Sequence, residues 1–195
     1  MFSQGISKAE STVDFSIVEA FNRKILDPKA KRYFFVSNPV KLSVDDAPKR
    51  KIRLKLHPTN DLGERMIETD SVFFVEKEDM QNMTTGDVFR LKGLYNVTIQ
   101  KIGDAISGRY EGEELLPDTA KIQWTTKNHI EMKISVPGLI FKKDTYNPKS
   151  LVELHGYAEK AVSDLKSGEI IQFERVGFVK IGKQKTKIVG YFAHK

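Results

Sequence analysis

Two periods of apolar spacing run through this chain, and the change from one to the other comes early. Over residues 7–25 the apolar positions Phe15, Val18, Phe21 and Ile25 recur every three or four residues, which predicts an amphipathic helix. Ser11, Thr12 or Asp14 can cap it. Asp27-Pro28 ends it, because the residue before a proline is pushed out of the helical region. Beyond that point the period falls to two. Val40, Leu42 and Val44 alternate with Lys41 and Ser43; Ile52, Leu54 and Leu56 alternate with Lys51, Arg53 and Lys55. Phe89, Leu91, Tyr95, Val97 and Ile99 share one parity, and Arg90, Lys92, Asn96 and Thr98 share the other, with Gly93 marking a bend or bulge within 88–100. Ile130, Met132, Ile134 and Val136 alternate with Glu131, Lys133 and Ser135, and Ile171 and Phe173 with Gln172 and Glu174. Each such stretch is a strand with one buried and one exposed face. Apolar runs at 33–36, 72–75 and 188–192 add further strands, and turn residues such as Asn38-Pro39, Pro137-Gly138 and Ser167-Gly168 separate them. Short strands with turns about every 8–12 residues predict a mainly β protein of barrel or sandwich class behind an N-terminal helix.

The 195 residues suffice for one large all-β unit or two small barrels. Their 32 Lys+Arg against 26 Asp+Glu leave a net charge of +6, which suits a polyanionic partner. There is no cysteine, so disulfides and thiolate metal sites are excluded. His57, His129, His155 and His194 lie far apart with no i, i+4 pair, so no metal site is expected. No apolar run approaches the length of a membrane span, and the start lacks a basic segment leading into an apolar core, so a cytoplasmic location is expected.

Candidate chemistry is that of binding. No glycine-rich phosphate loop and no Gly-x-Ser-x-Gly elbow occurs. Glu113-Glu114 reads as a solvated acidic loop, so no catalytic residue is assigned. Cationic clusters recur instead, at 23–32, at 49–55, at Arg90 and Lys92, and at 180–187. Such faces contact phosphates without reading sequence, and Lys31, Arg50, Arg53, Arg175 and Lys185 are the candidates for backbone contact. A solvated strand face accounts for 49–55 equally well. Gln172 stands on the polar face of its strand, where an amide can offer a donor and an acceptor to a base edge. Tyr95 shares the apolar parity and belongs to the core rather than to a stacking surface.

Several blocks of the chain resemble one family in order. Asn22-Arg23-Lys24-Ile25-Leu26-Asp27-Pro28, Arg32-Tyr33-Phe34-Phe35-Val36 and Asn38-Pro39-Val40-Lys41-Leu42 resemble the segment that follows the catalytic and stem-contact domains of archaeal-type glutamyl-tRNA synthetases, which are class I aminoacyl-tRNA synthetases. Gly86-Asp87-Val88-Phe89-Arg90-Leu91-Lys92-Gly93-Leu94-Tyr95-Asn96-Val97 is similar to that family's distal-barrel strand. The blocks at 147–159 and Gln172-Phe173-Glu174-Arg175-Val176-Gly177-Phe178 are similar to its return to the proximal barrel. Glutaminyl enzymes share the architecture; Tyr33-Phe34-Phe35-Val36 after Asp27-Pro28 is closer to the archaeal glutamyl type.

The resemblance implies two β-barrels that bind the anticodon of a tRNA, for glutamate and, in an enzyme that does not discriminate, glutamine as well. Residues 1–32 would link to the catalytic and stem-contact part, 33–71 with 142–195 would form a discontinuous proximal barrel, and 72–141 an inserted distal barrel. The parent enzyme would attach glutamate to tRNA with ATP and Mg2+. Its His-Ile-Gly-His-like and Lys-Met-Ser-Lys-like motifs do not occur, so the chain is expected to begin after the catalytic domain and to hold no cofactor. Residue by residue, Arg32 and Gln172 match the pair that holds the middle anticodon base, a uridine. Arg90 and Lys92 match two arginines that contact the first base and a nearby phosphate in the glutaminyl enzymes, and a lysine at 92 lacks the planar fork of an arginine. A third arginine of those enzymes falls near Asn82 or Met83, where none stands. The rival readings are the same region of a glutaminyl enzyme, a stand-alone ribosomal-protein-like RNA-binding barrel, and a self-contained enzyme with an unrecognised site.

Overall fold

A computed structural model describes residues 15–142, 145–184 and 187–195. The helix runs Phe15–Leu26 over its described part and buries none of its residues; the expected caps at Ser11, Thr12 and Asp14 lie outside the described residues. Its last turn is tied to the opposite end of the chain, where Arg23 Nε donates to the Lys195 carbonyl at 2.9 Å. No helix among the described residues is long and apolar enough to cross a membrane.

Apart from short helical pieces at Lys77–Met80 and Lys160–Asp164, the rest of the described regular structure is strand, gathered into two seven-stranded sheets and a two-stranded ribbon, with Phe141–Lys142 paired to Thr145–Tyr146. The first sheet, here the proximal one, orders Arg32–Tyr33, Ile170–Phe173, Gly177–Gln184, Lys187–His194, His129–Pro137, Leu151–Glu159 and Phe35–Ser37. Its two edge strands are consecutive in the chain and only Phe34 lies between them. Edges so joined cannot part, so the sheet curls into a nearly closed barrel. The distal sheet does the same. It orders Ala120–Ile122, Val88–Leu91, Asn96–Lys101, Ile106–Tyr110, Pro39–Asp45, Val72–Glu76 and Trp124–Thr126, and Gln123 alone separates its edges.

The expected split of the chain put residues 39–45 with the proximal barrel and 129–137 with the distal one. Sheet pairing runs otherwise. Pro39–Asp45 pairs with Val72–Glu76 and Ile106–Tyr110, and His129–Pro137 pairs with Leu151–Glu159 and Lys187–His194. Alternation marks a strand but not its partner, so such an exchange leaves no trace in the pattern. The ribbon Arg50–Lys55 with Glu64–Thr69 joins neither sheet. Its Ile52, Leu54 and Ile67 pack on the distal core, while Leu56 beyond it enters the proximal one.

The long stretch at 88–100 forms two strands, not one with a bulge. Gly93, at φ +75°, reverses the chain, and the Leu91 amide donates to the Tyr95 carbonyl at 2.9 Å. Leu91 and Tyr95 are four residues apart, so the turn preserves parity and the apolar alternation runs straight through it. Tyr95 is in the distal core with Phe73, Phe89 and Trp124, as its parity requires, and burial raises its phenol above the usual range.

The two barrels share a seam. Phe34 has its backbone between the edge strands of the proximal sheet and its ring in the distal core, 5.9 Å from the Trp124 ring. Its amide donates to Glu159 Oε1 at 2.6 Å. The same carboxylate receives Arg65 from the ribbon through Nε at 2.5 Å and Nη2 at 2.8 Å, and the two side chains are only 4% and 3% exposed. Arg65 also donates to the Lys55 carbonyl and lies 5.1 Å from the Phe34 ring centre.

Candidate nucleic-acid interface

Arg32 and Gln172 come from strands 140 positions apart and stand side by side. The edge strand Arg32–Tyr33 runs parallel to Ile170–Phe173 with Arg32 opposite Gln172, and the Gln172 amide donates to the Lys31 carbonyl at 2.9 Å. Residues directly opposite in a ladder project from the same face. Arg32 is largely covered, at 24% side-chain exposure, and its Nη2 donates to Asp27 Oδ1 at 2.9 Å. Its Nε is buried and has no hydrogen-bond partner among the described residues; the same is true of Gln172 Oε1. A buried donor and a buried acceptor, both unused and carried by residues opposite one another in the ladder, are costly to leave unmade unless something arrives to use them.

Arg32 lines a groove of about 250 Å³ together with Phe34, Leu54, Lys92, Gly93 and Glu174. Lys92 is thus brought to the same groove from the distal barrel. Its ammonium pairs with the Glu174 carboxylate and sits 5.9 Å from the Phe34 ring centre. Its backbone is fixed by the Trp124 indole, which donates to the Lys92 carbonyl at 3.0 Å. Gly93 lies close to Leu54: a Cβ there would lie 2.8 Å from Leu54 Cδ2 and push that side chain aside, and the φ of +75° would strain any other residue.

The remaining candidates are placed differently. Arg90 donates through Nη1 to Asn96 Oδ1 at 2.9 Å and to the carbonyls of Glu113 and Glu114, and through Nη2 to Leu94 at 3.0 Å. Its guanidinium holds the acidic loop against the hairpin and does not line the groove. Arg50 pairs with Glu113. Arg175 takes a left-handed backbone, φ +73°, and turns its guanidinium onto Asp79 at 2.5 and 2.6 Å and Glu76 at 3.0 Å, so it bridges the barrels. Hydrogen bonding to Asp79 raises its already high pKa. Arg53 is exposed on the ribbon, but that face is not purely cationic: Lys51 pairs with Glu68 at 3.1 Å, and Lys55 lies across from Glu64. Lys31 is half-buried and lines a second groove, of about 670 Å³, with Tyr33, Lys51, Arg65 and Glu159. Burial pushes the Tyr33 phenol there up to about 12. Lys185 lies outside the described residues. Of the two positions where an arginine was missing, Asn82 is exposed in a turn and Met83 packs against the distal core.

Sequence reading did not find Asp27, His57, Arg65 or Glu159 as parts of this region. A lone acid before a proline and a histidine before another proline carry no spacing signal, and the partners of Arg65 and Glu159 are set by the fold.

A family model for the class I tRNA synthetases (E and Q), anticodon-binding domain, matches residues 30–114, and a second model of the same description matches 121–182, together about three quarters of the chain. This chain belongs to that family. The similarity extends over the whole chain to glutamate–tRNA ligases. That of Nitrosopumilus maritimus is 36% identical over 196 residues, covering 100% of this chain and 34% of the relative. Those of Korarchaeum cryptofilum and Pyrococcus furiosus are 34% and 33% identical, covering 94% and 98% of this chain. The chain spans about a third of the length of the curated relatives it matches. In this anticodon-binding domain the two family matches meet at 114–121, inside the distal sheet and not between the barrels.

Proposed function

We propose that this chain is the anticodon-reading part of a glutamate–tRNA ligase, a cytoplasmic enzyme that attaches glutamate to tRNA. ATP and Mg2+ belong to the catalytic part of that enzyme, and no residue here is assigned to them. The observation that supports the reading is the unused donor of Arg32, which lines the groove, and the unused acceptor of Gln172, opposite it in the ladder. Uracil presents an N–H flanked by two carbonyl oxygens. Gln172 Oε1 accepts from that N–H and the Arg32 guanidinium donates to an oxygen. Cytosine has a lone pair where uracil has the N–H, which sets acceptor against acceptor and leaves the amide oxygen unpaired. A middle uridine is common to glutamate and glutamine tRNAs, so the clamp serves either, and choice between those tRNAs lies elsewhere.

In this reading the base enters the groove, the Lys92–Glu174 pair flanks it, and Lys31, Arg53 and Lys185 meet phosphates. Arg50, Arg90 and Arg175 contribute by shaping the surface, since carboxylates and carbonyls of the protein already occupy their guanidinium groups. The test is titration of synthetic anticodon stem-loop RNAs carrying U or C at the middle position. Arg32→Ala and Gln172→Ala should each reduce the preference for U by about 1–3 kcal/mol. If both variants keep the preference of the unaltered chain, the assignment is wrong.

A further inference from the structure

We infer that Asp27 and His57 are positioning residues that set the Arg32 guanidinium in the orientation from which it reads the base; the inference rests on the clamp just proposed. Arginine is a poor discriminator when its fork swings, because a swinging fork finds an acceptor on any base. Here the fork is held at one end. Asp27 Oδ1 takes Nη2 at 2.9 Å, and Nε stays buried and unused.

Asp27 is itself held, although its side chain is 42% exposed and its ion pair alone would be weak. Its amide donates to the Arg23 carbonyl at 2.8 Å as the helix ends. Its carbonyl faces His57 Nε2 at 3.0 Å. The amides of Thr59 and Asn60 both point at His57 Nδ1, at 3.2 and 2.9 Å. Two donors converging on Nδ1 require a lone pair there, so the proton is on Nε2 and His57 donates to Asp27. His57 is 3% exposed, so its own bonds are shielded from water. Asn60 adds a bond from Nδ2 to the Pro28 carbonyl at 2.9 Å. The Arg32 amide donates to the Leu56 carbonyl at 2.6 Å, one residue before His57. The 56–60 segment therefore grips both the turn that carries Asp27 and the backbone of Arg32. A helix end, a loop and a strand edge are locked so that one guanidinium has one orientation.

The experiment compares Asp27→Asn, Asp27→Glu and His57→Gln in the full 195-residue chain, with Arg32→Ala and Gln172→Ala beside them. Each is titrated with anticodon stem-loop RNA bearing a middle U or a middle C, and the Arg32 Nε–H cross-peak is followed by 15N NMR. Asp27→Asn should reduce the U-over-C preference about tenfold, leave affinity for the C form and the melting curve unchanged, and broaden the Arg32 Nε–H signal. His57→Gln should do the same in smaller measure, and Asp27→Glu, which keeps the charge, should retain most of the preference. If Arg32→Ala loses the preference and Asp27→Asn keeps it, the positioning role is overturned and the clamp stands. If Asp27→Asn weakens binding of both RNAs alike, Asp27 acts through general affinity and the positioning role is likewise overturned. If Arg32→Ala and Gln172→Ala both keep the preference, the clamp falls and the positioning role with it.

Discussion

Glu159→Ala is expected to cost about 3–5 kcal/mol of folding stability, read as a fall in the urea midpoint at an unchanged slope. The carboxylate is 3% exposed, and removing it strands two groups at once. Arg65 keeps its charge in a site 4% exposed, and the Phe34 amide loses the acceptor it reaches at 2.6 Å. Either loss alone is expensive in a desolvated place. The pair also ties the ribbon to the seam between the barrels, so the ribbon should loosen first in hydrogen exchange. A double variant, Arg65→Met with Glu159→Gln, removes both charges and keeps an oxygen for the Phe34 amide; it should recover most of the loss. A single variant that melts within about 0.5 kcal/mol of the unaltered chain would show that water reaches the pair freely.

Gly156→Ala is the second large effect, at about 3 kcal/mol, the upper end of the cost of overpacking. Strand Leu151–Glu159 lies between His129–Pro137 and Phe35–Ser37, and Gly156 faces Met132 on one side and Ser37 on the other. A Cβ at this position would lie 2.7 Å from Phe35 Cζ, 3.0 Å from the Val36 carbonyl carbon, and closer still to the Val36 oxygen. The obstruction is backbone of the edge strand that closes the barrel, so rotamer changes cannot relieve it. Gly103→Ala is the control: its nearest neighbour would be 3.8 Å away, and the change should stay within about 0.5 kcal/mol. Equal melting of the two variants would mean that the closing strand yields easily.

Period-two alternation marked the faces of most strands correctly, because a half-sunk strand writes its burial into every second residue. It also carried the Tyr95 assignment across a reversal at Gly93, since the turn keeps parity. It does not mark the ribbon strand Glu64–Thr69, where Arg65 and Thr69 are buried while Met66 is 46% exposed. There Arg65 answers to Glu159, 94 positions away, and no local pattern encodes that partner. The juxtaposition of Arg32 and Gln172 came from resemblance, not from spacing. Periodicity put Gln172 on a polar face and could not say which strand would lie beside it. Arg90 and Arg175 show the converse. Both carry the charge expected of phosphate contacts, and both are drawn inward, one by the carbonyls of the acidic loop and one by a left-handed turn toward Asp79.

The order of strands around the proximal sheet bears on how the chain assembles as it is made. The strands of the distal sheet all lie between residues 39 and 126, so that barrel has every piece before His129–Pro137 exists. Lys187–His194 is the last strand in order, yet it sits in the middle of the proximal sheet, between Gly177–Gln184 and His129–Pro137. Until it arrives, the proximal strands form two separate flaps, both hung from the seam at Phe34 that the distal core has already anchored. One flap carries Arg32 and Gln172. Arg32 and Gln172 are therefore brought together on a half-built barrel, and Lys187–His194 works as a keystone: clipping it would not trim an edge but divide the sheet at its centre.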